Sequence, residues 1–460
     1  MTPTPAAPPT KDGAGNGLHP TRRLRCDVLV AGGGSAGLAA SVAAARSGAH
    51  TVLVEWHGTL GGMATAALVH SVCGLYLLRD EPGAVAANPG FATELAERLV
   101  AAGGAAGPVR MGRVDVLPHR PPVFARVADE IASETAGLET WRHAAVTDVA
   151  CASGRVERVG VFCRGVRTEL EPAVVVDATG DATAAALAGA AFEIEDASRL
   201  QRPAYVVLLC GVADGALDGD GRLRVAHRIT SAVRAGVLPD GARGTALRAG
   251  LVPGEAYATI DLEPPPGVAY DPLDARCLAA LEVHGRALAF ALAGFLREHV
   301  DGFATSTLAA LPARVGVRES RRVVGERRVE TTDVESGATF PDAVALATWP
   351  IELREHATGP RLRYPRDGRP TEVPLGALRA RDVGNLLVAG RCLAASHEAQ
   401  AALRVIGTCL ATGEAAGLAA ALIADRPAAA HDTVALAAAV RAARARLAGP
   451  ALRGTGRGIA

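Results

Sequence analysis

The alternation of apolar and polar positions predicts a chain of short strands interrupted by several longer helices. The apolar run 26–31 predicts a buried strand, the Ala-rich stretch from Ser35 to Ser47 a helix, and residues 51–55 a second strand. Apolar residues recur at helical spacing in 91–100 and 274–299, which predicts two amphipathic helices. Further helices are predicted at 121–135, 408–424 and 431–447, and further strands at 138–143, 146–151, 156–163, 166–170, 174–177, 204–212 and 256–262.

A glycine-rich turn connects the first predicted strand to the first helix. It reads Gly32-Gly33-Gly34-Ser35-Ala36-Gly37, and the second strand ends on the carboxylate of Glu55. In this pattern Gly32 allows a tight turn, Gly34 lets the backbone approach a pyrophosphate at the helix N-terminus, and Gly37 lets the helix lie close to the sheet. Glu55 stands where an acid accepts a hydrogen bond from a ribose hydroxyl. The segment therefore predicts a dinucleotide-binding unit.

A second pair of glycines, Gly61-Gly62, follows the second strand and is continued by Met63. Paired glycines there would allow another close backbone approach, such as the diphosphate and ribityl chain of FAD requires. With this feature the chain resembles the FAD-dependent oxidoreductases that have a glutathione-reductase-type nucleotide fold. The segments that extend the resemblance, in the order of that family, are 174–181 with its Ala-Thr-Gly, 314–326, 385–391, and 404–409 followed by 411–417.

The resemblance implies FAD as the cofactor and an α/β fold. Its core would be a Rossmann-like FAD-binding domain of three layers, with a central parallel sheet and a β-meander, into which an α+β substrate domain is inserted. The expected division is a disordered tail at 1–21, the FAD-binding domain at 22–190 and 321–447, the substrate domain at 191–320 and a flexible tail at 448–460. The implied cofactor-binding residues are Gly32, Gly34, Ser35, Ala36, Gly37, Glu55, Gly61, Gly62, Met63, Val146, Ala178, Thr179, Gly180, Gly390, Arg391, Gly407 and Thr408.

The start of the last Ala-rich helix is the candidate contact to the flavin ring. The N–H groups near Gly407-Thr408 would face the pyrimidine edge of the ring, unless this helix merely packs. In fumarate-reductase-type flavoproteins, a related segment presents an arginine to the substrate carboxylate, and Arg404 falls at the similar place. The alternative for Arg404 is an ion pair with Glu398 or Glu414.

Two histidines are candidates for proton transfer. His397 would be either a general base beside the flavin or a structural histidine. His356 matches a place where relatives often have histidine after an aromatic-Pro turn, so the resemblance implies that it reaches the substrate face of the flavin. Leu375-Gly376 departs from the Tyr-Arg that the family has after Pro374, which indicates a pocket unlike the usual one.

Composition narrows the class of protein. The 48 basic and 48 acidic residues balance, so we expect no nucleic-acid partner. The eight cysteines form no Cys-x-x-Cys pair, which argues against a redox dithiol and fits a reducing cytoplasm. Lys11 is the single lysine, so Schiff-base catalysis is not expected. Neither zinc-type spacing nor an apolar stretch of membrane length is evident, and Arg22-Arg23 precedes a nucleotide-binding strand rather than an export signal.

The favoured interpretation is an FAD-dependent dehydrogenase or oxidase in the cytoplasm that takes hydride from a small organic molecule. Only one dinucleotide fingerprint is evident, so reoxidation is expected to use an external electron acceptor or oxygen. The Gly-Asp-Ala of aromatic monooxygenases is replaced by Ala389-Gly390-Arg391, and the Trp-x-Trp-x-Ile-Pro of flavin halogenases is missing. The alternatives are a flavin monooxygenase using external NAD(P)H and a non-catalytic flavoprotein.

Overall fold

The computed structural model describes residues 22–447, except residues 82 and 358. The tails predicted at 1–21 and 448–460 lie outside these described residues. The helices of the described chain are α1 (Ser35–Arg46), α2 (Phe91–Ala101), α3 (Pro121–Glu134), α4 (Thr183–Leu187), α5 (Gly221–Arg234), α6 (Ala275–His299), α7 (Thr331–Ser336), α8 (His397–Leu403), α9 (Ile406–Asp425) and α10 (Thr433–Leu447). Its strands are β1 (Arg22–Ala31), β2 (Thr51–Val54), β3 (Ser71–Val72), β4 (Val109–Met111), β5 (Val114–Pro118), β6 (Leu138–Trp141), β7 (Ala145–Ala152), β8 (Arg155–Cys163), β9 (Val166–Asp177), β10 (Phe192–Glu193), β11 (Ala204–Cys210), β12 (Ala246–Ala249), β13 (Ala256–Asp261), β14 (Thr307–Ala310), β15 (Arg322–Val323), β16 (Ala343–Ala347), β17 (Ile351–Leu353), β18 (Arg361–Arg363), β19 (Thr371–Pro374) and β20 (Leu386–Val388).

The largest sheet has seven strands in the order β6-β2-β1-β9-β8-β7, and β20 also pairs with β9. β6, β2, β1, the end of β9 and β20 run parallel, so that Val30 lies between Leu53 and Val176. β7, β8 and β9 are joined as antiparallel neighbours and form a meander. Residues 28–31 are fully buried, as expected for a parallel strand covered on both faces. The prediction of an α/β chain with a parallel-containing sheet is confirmed.

One strand is longer than its sequence pattern predicts. The pattern separates 166–170 from 174–177, whereas β9 continues without a break. The predicted break falls at Pro172, because proline lacks a backbone donor and usually marks the end of a strand or an edge strand. Here the pairing with β1 passes from Cys26 opposite Pro172 to Val28 opposite Val174. The N–H of Asp27 donates to the carbonyl of His50, which precedes β2, and not to β9.

Two helices of small residues, α1 and α9, pack on each other and on this sheet. A Cβ added to Gly413 would lie 2.1 Å from the carbonyl oxygen of Ala36, and one added to Gly417 would lie 2.0 Å from that of Ala40. The two helices therefore touch backbone to backbone and run parallel. Because Ala36 is the second residue of α1, the first two turns of α9 extend beyond the start of α1.

Two helices, α6 and α9, are long and apolar enough to cross a membrane by length and composition, with mean hydropathy of 1.3 and 1.5 over their most apolar windows. The expectation that no apolar stretch reaches that length was wrong in this respect. In α9, 94% of the window is buried inside the protein, so its composition reflects a place in the core. In α6, the buried share is 28%.

A second hydrophobic core is formed by residues between Leu200 and Val315. Its sheet is antiparallel, in the order β12-β13-β11-β14, with Tyr205 of β11 opposite Ile260 of β13. α5 and α6 cover this sheet, and the side chain of Asp274 caps α6 by accepting two backbone N–H bonds. The core lies within the predicted range 191–320, although the domain boundaries themselves stay a prediction. The pattern did not predict α5, in which four arginines stand among the apolar residues.

We expect Gly417→Ala to destabilise the protein, because the methyl group would collide with the backbone of α1. Overpacking of this kind typically costs about 1–3 kcal/mol, which exceeds the helix-propensity gain of about 1 kcal/mol. Gly294→Ala in α6 is the matched control, since a Cβ there meets nothing within 4 Å. Urea unfolding should show a lower unfolding free energy for Gly417→Ala and an unchanged or higher one for Gly294→Ala. Equal stability of the two variants would contradict the close helix contact.

Candidate active site

The turn between β1 and α1 leaves an open surface at one glycine only. A Cβ on Gly32, whose φ is +94°, would lie 2.6 Å from the carbonyl oxygen of Ala178, and one on Gly37 would lie 1.7 Å from that of Gly32. A Cβ on Gly34 would meet only the Cα of Gly62, at 4.0 Å. Gly32 and Gly37 are therefore required by packing, whereas Gly34 borders free space at the N-terminus of α1. Free space at a helix N-terminus suits a phosphate group.

Glu55 is held behind this turn by backbone donors. Its carboxylate is buried and accepts from the N–H of Gly33 at 2.5 Å and from the N–H of His57 at 2.7 Å. The oxygens keep further lone pairs, which is what a ribose hydroxyl would need. Gly61 is fastened to the same turn, since its N–H donates to the carbonyl of Gly33 at 2.9 Å.

Arg314 brings a positive charge to this turn. Its Nη2 lies 3.7 Å from the place that a Cβ on Gly62 would take, and its buried Nε has no hydrogen-bond partner among the described residues. Burial and the nearby Arg391 lower the pKa of Arg314, and the charges of Glu55 and Asp181 raise it by less. A buried guanidinium beside an open helix N-terminus fits the diphosphate of FAD. In the sequence, Arg314 stands only as the first residue of the family segment 314–326, which gives no signal for its place beside the turn.

A single cleft extends from the turn, with about 1430 Å³ of empty space including its open mouth. Its walls come from both sheets, since Ala204 and Val206 of β11 and Thr259 of β13 line it together with the turn. The predicted cofactor residues that line it are Gly34, Ser35, Ala36, Gly62, Met63, Ala178, Thr179, Gly180, Gly390 and Arg391. Gly32, Gly37 and Gly61 instead support its wall through the contacts described above, and Glu55 lies beside the turn without lining the cleft.

Three predicted cofactor residues lie away from the cleft surface. The N–H of Gly407 donates to the carbonyl of Cys73 at 2.8 Å, and Thr408 is fully buried. The first turn of α9 reaches the cleft through other residues, namely Val405, Ile406 and Cys409. Val146 lies on β7, which β8 and β9 separate from β1, so it is remote from the turn.

The end of the cleft beyond the turn is lined by charged and aromatic side chains. Glu352 accepts from the indole N–H of Trp349 at 2.8 Å and from Nε of Arg354 at 2.7 Å. Burial alone would raise the pKa of Glu352, but Arg354, Arg404 and the indole N–H lower it to about 2. Arg404 lines this end, and its Nη2 donates to the side-chain oxygen of Gln201 at 3.1 Å. Its predicted alternative partners, Glu398 and Glu414, pair with Arg363 and Arg444.

The two predicted histidines do not line the cleft. His397 is buried, and its ring nitrogens lie 2.9 Å from a carboxylate oxygen of Glu319 and 3.3 Å from one of Glu355. Burial opposes the charged imidazolium, but the hydrogen bond and the charge of Glu319, together with Glu195 and Glu355, outweigh it and raise the pKa of His397. These two carboxylate partners favour the structural alternative for His397, and its role as a base stays a prediction. His356 is exposed in the bend after β17, away from the cleft lining, and its role stays a prediction as well.

His70, which sequence reasoning missed, lines the cleft. Its ring stacks on Tyr257 with centroids 4.2 Å apart, and its buried Nε2 has no partner among the described residues. Burial lowers the pKa of His70 to about 4, so the ring is neutral at neutral pH. Cys73 and Cys409 also line the cleft, and burial raises the pKa of each thiol to about 12. The one signal for His70 was its place shortly after Gly61-Gly62.

Comparison with known proteins gives a family and distant structural likenesses. A family model described as FAD dependent oxidoreductase matches residues 27–447. No protein with a curated function matches the sequence. Similar solved structures are a geranylgeranyl bacteriochlorophyll reductase-like protein from Thermoplasma acidophilum (14% identity, 94% of this chain and 81% of that chain, TM-score 0.45), the anhydrotetracycline hydroxylase OxyS from Streptomyces rimosus (16%, 94% and 68%, 0.43) and the p-nitrophenol 4-monooxygenase PnpA from Pseudomonas putida DLL-E4 (12%, 94% and 92%, 0.46). At such identities and TM-scores, these likenesses do not bear on the activity.

We expect Gly34→Val to fold but to lose FAD. The backbone of Gly34 has φ −67° and ψ −174°, which valine can adopt, and the added side chain would enter the open space that a pyrophosphate needs. Thermal unfolding measures the fold, and FAD released on denaturation measures cofactor content. Gly37→Val is the contrasting variant, because its side chain would collide with the turn and prevent folding. A folded Gly34→Val protein with a full complement of FAD would contradict this placement.

Proposed function

We propose that this chain, which belongs to the FAD-dependent oxidoreductases, is a dehydrogenase or oxidase acting on a small organic substrate. The observation that carries the proposal is the single cleft that joins the turn at Gly34 to the charged end around Trp349 and Arg404. A cofactor at the turn and a substrate at the other end would meet in this space. FAD is the cofactor of the family, and it supplies the acceptor for a hydride.

The domain built on the seven-stranded sheet is, in this proposal, a Rossmann-like FAD-binding domain, with residues 191–320 inserted as the substrate domain. The N-terminus of α1 at Gly34 and the guanidinium of Arg314 would hold the diphosphate, and Glu55 would accept from the adenosine ribose. Arg391, which pairs with Asp181 at 2.7 Å, lines the cleft between these groups and the charged end.

His70 is proposed as the base that receives the substrate proton. Among the titratable residues known to line the cleft, Glu352 is ionised and paired, and the thiols of Cys73 and Cys409 are protonated. The neutral imidazole of His70 is the remaining group that can accept a proton, at Nε2. When a substrate C–H leaves as hydride, the proton of the adjacent hydroxyl or amine would pass to this nitrogen.

The electron acceptor and the compartment belong to the same proposal. An external acceptor or oxygen would reoxidise the flavin, and the substrate is a small molecule rather than a nucleic acid. All eight cysteines, which fall within the described residues, are unpaired, which supports a reducing cytoplasm.

Anaerobic reduction tests the proposal. Holoenzyme is mixed with a panel of small metabolites in the absence of oxygen, and the oxidised flavin absorbance is followed. We expect at least one organic compound to bleach the flavin and to be recovered as its two-electron-oxidised product. If only NAD(P)H bleaches it, and oxygen is then inserted into an added compound, the protein is a monooxygenase. If no compound or reduced nucleotide bleaches the flavin, the protein is a non-catalytic flavoprotein.

We expect the rate of flavin reduction by such a substrate to fall at low pH. The apparent pKa should be that of His70, which burial lowers to about 4. Protonation of the imidazole below that pH removes the base, and above it the base is present. His70→Gln should lower the rate by roughly 10²–10⁴-fold and remove this dependence. His431→Gln, an exposed histidine after α9, serves as the control and should reduce at the wild-type rate. An unchanged pH profile in His70→Gln would exclude the proposed role.

A further inference from the structure

The charged end of the cleft has more positive than negative groups. Asp261 is fully buried, accepts a hydrogen bond from Arg354 at 2.7 Å and forms an ion pair with Arg318 at 2.8 Å. Glu352 is also paired with Arg354, at 2.7 Å. These two carboxylates therefore compensate Arg318 and Arg354, and the other two guanidinium groups that line this end are those of Arg248 and Arg404.

Arg248 has no carboxylate within ion-pair distance among the described residues. It lies on β12 opposite Tyr257, and its Nη1 is 3.2 Å from the sulfur of Met111, which is a weak acceptor. Burial lowers the pKa of Arg248. A partly buried cation with only a thioether as partner leaves most of its donors free for a ligand.

Arg404 is similarly undercompensated. Its Nη2 donates to neutral oxygens only, the side chain of Gln201 at 3.1 Å and the backbone carbonyl of Glu352 at 3.3 Å, and its buried Nε has no described partner. Burial lowers the pKa of Arg404 to about 10. Arg248, Arg404 and Cys73 line the same cleft, and the charges of both guanidinium groups act to lower the pKa of the Cys73 thiol.

We propose that Arg248 and Arg404 clamp an oxyanion between the two cores, and that the substrate is a small organic acid. This inference rests on the proposed function, because it names the substrate class of that site. The two guanidinium groups supply the charge, and a fork of N–H donors matches an oxyanion well. Val69, Val206 and Trp349 line the same cleft and would contact an apolar body of the acid. Burying both charges without an anion would be costly.

The test measures binding of acids to the oxidised holoenzyme, without turnover. The probes are butyrate, benzoate and phenyl phosphate, each compared with a neutral counterpart: butyramide, benzamide and phenol. Perturbation of the flavin spectrum and protection against thermal unfolding report binding. We expect at least one oxyanion to bind about tenfold or more tightly than its neutral counterpart. The carboxylate and phosphate arms distinguish the two kinds of oxyanion.

Arg248→Gln should weaken binding of that probe by about tenfold or more while the protein keeps its FAD. Arg248→Lys keeps the charge but loses the fork of N–H donors. Its affinity for the probe should lie between those of the wild type and Arg248→Gln. Arg222→Gln is the matched control, because Arg222 is exposed on α5, its charge acts on Arg248, and it does not line the cleft. We expect it to bind the probe as the wild type does. Arg404→Gln provides a second, independent removal of the clamp.

Three results would overturn the clamp. The first is that the neutral counterparts bind as tightly as the acids, and the second is that none of the acids binds. The third is that Arg248→Gln binds the acid as the wild type does. In the last case, a lowered flavin reduction potential in Arg248→Gln would show that the positive charge serves the reduced flavin instead. If the proposed function is wrong but the clamp is right, acids still bind to the oxidised holoenzyme although no organic compound reduces the flavin. The two failures are therefore distinguishable.

Discussion

Contact between backbones around the turn after β1 is the constraint on which the cleft depends. Neither Gly32 nor Gly37 can carry a side chain, because the carbonyl oxygens of Ala178 and Gly32 occupy that space. The end of β9, the turn and the start of α1 are therefore held in direct contact. Gly413 makes the same kind of contact between α9 and α1. Segments distant in sequence thus reach one wall, and Gly34 remains as the open position between them.

Buried ion pairs fix the charged end of the cleft against this frame. Asp261, the last residue of β13, pairs with Arg318 and Arg354, which follow the second core in sequence, so ion pairs connect this sheet to the segments that return to the first core. Glu319 is fully buried beside His397 and orders the segment that leads to α9. Buried pairs of this kind add little net stability, but removing one partner leaves an uncompensated charge. Their effect here is to fix side-chain positions around the cleft.

The sequence predicted the parts of the site that follow from local backbone geometry. The turn, Glu55 and the glycine pair that ends in Gly62 lie together because strand, turn and helix follow one another directly there. The alternation of apolar and polar residues is enough to predict these elements and therefore their relative places. The sequence could not place the ring of His397, because position along the chain does not determine which way a short helix turns its side chains, and α8 turns this ring towards Glu319. Arg248 had no signal at all, since β12 carries no motif and its neighbours are set by long-range pairing with β13.

The use of arginine rather than lysine has a chemical consequence in this cleft. Burial lowers the pKa of Arg404 to about 10 from its usual 12.5, and the side chain still keeps its charge at neutral pH. A lysine with the same shift would titrate near about pH 8 and would lose part of its charge under the same conditions. Since Lys11 is the single lysine of the chain and precedes the described residues, every cationic side chain lining the cleft is a guanidinium. The positive end of the cleft therefore stays charged across the neutral range, whatever the degree of burial.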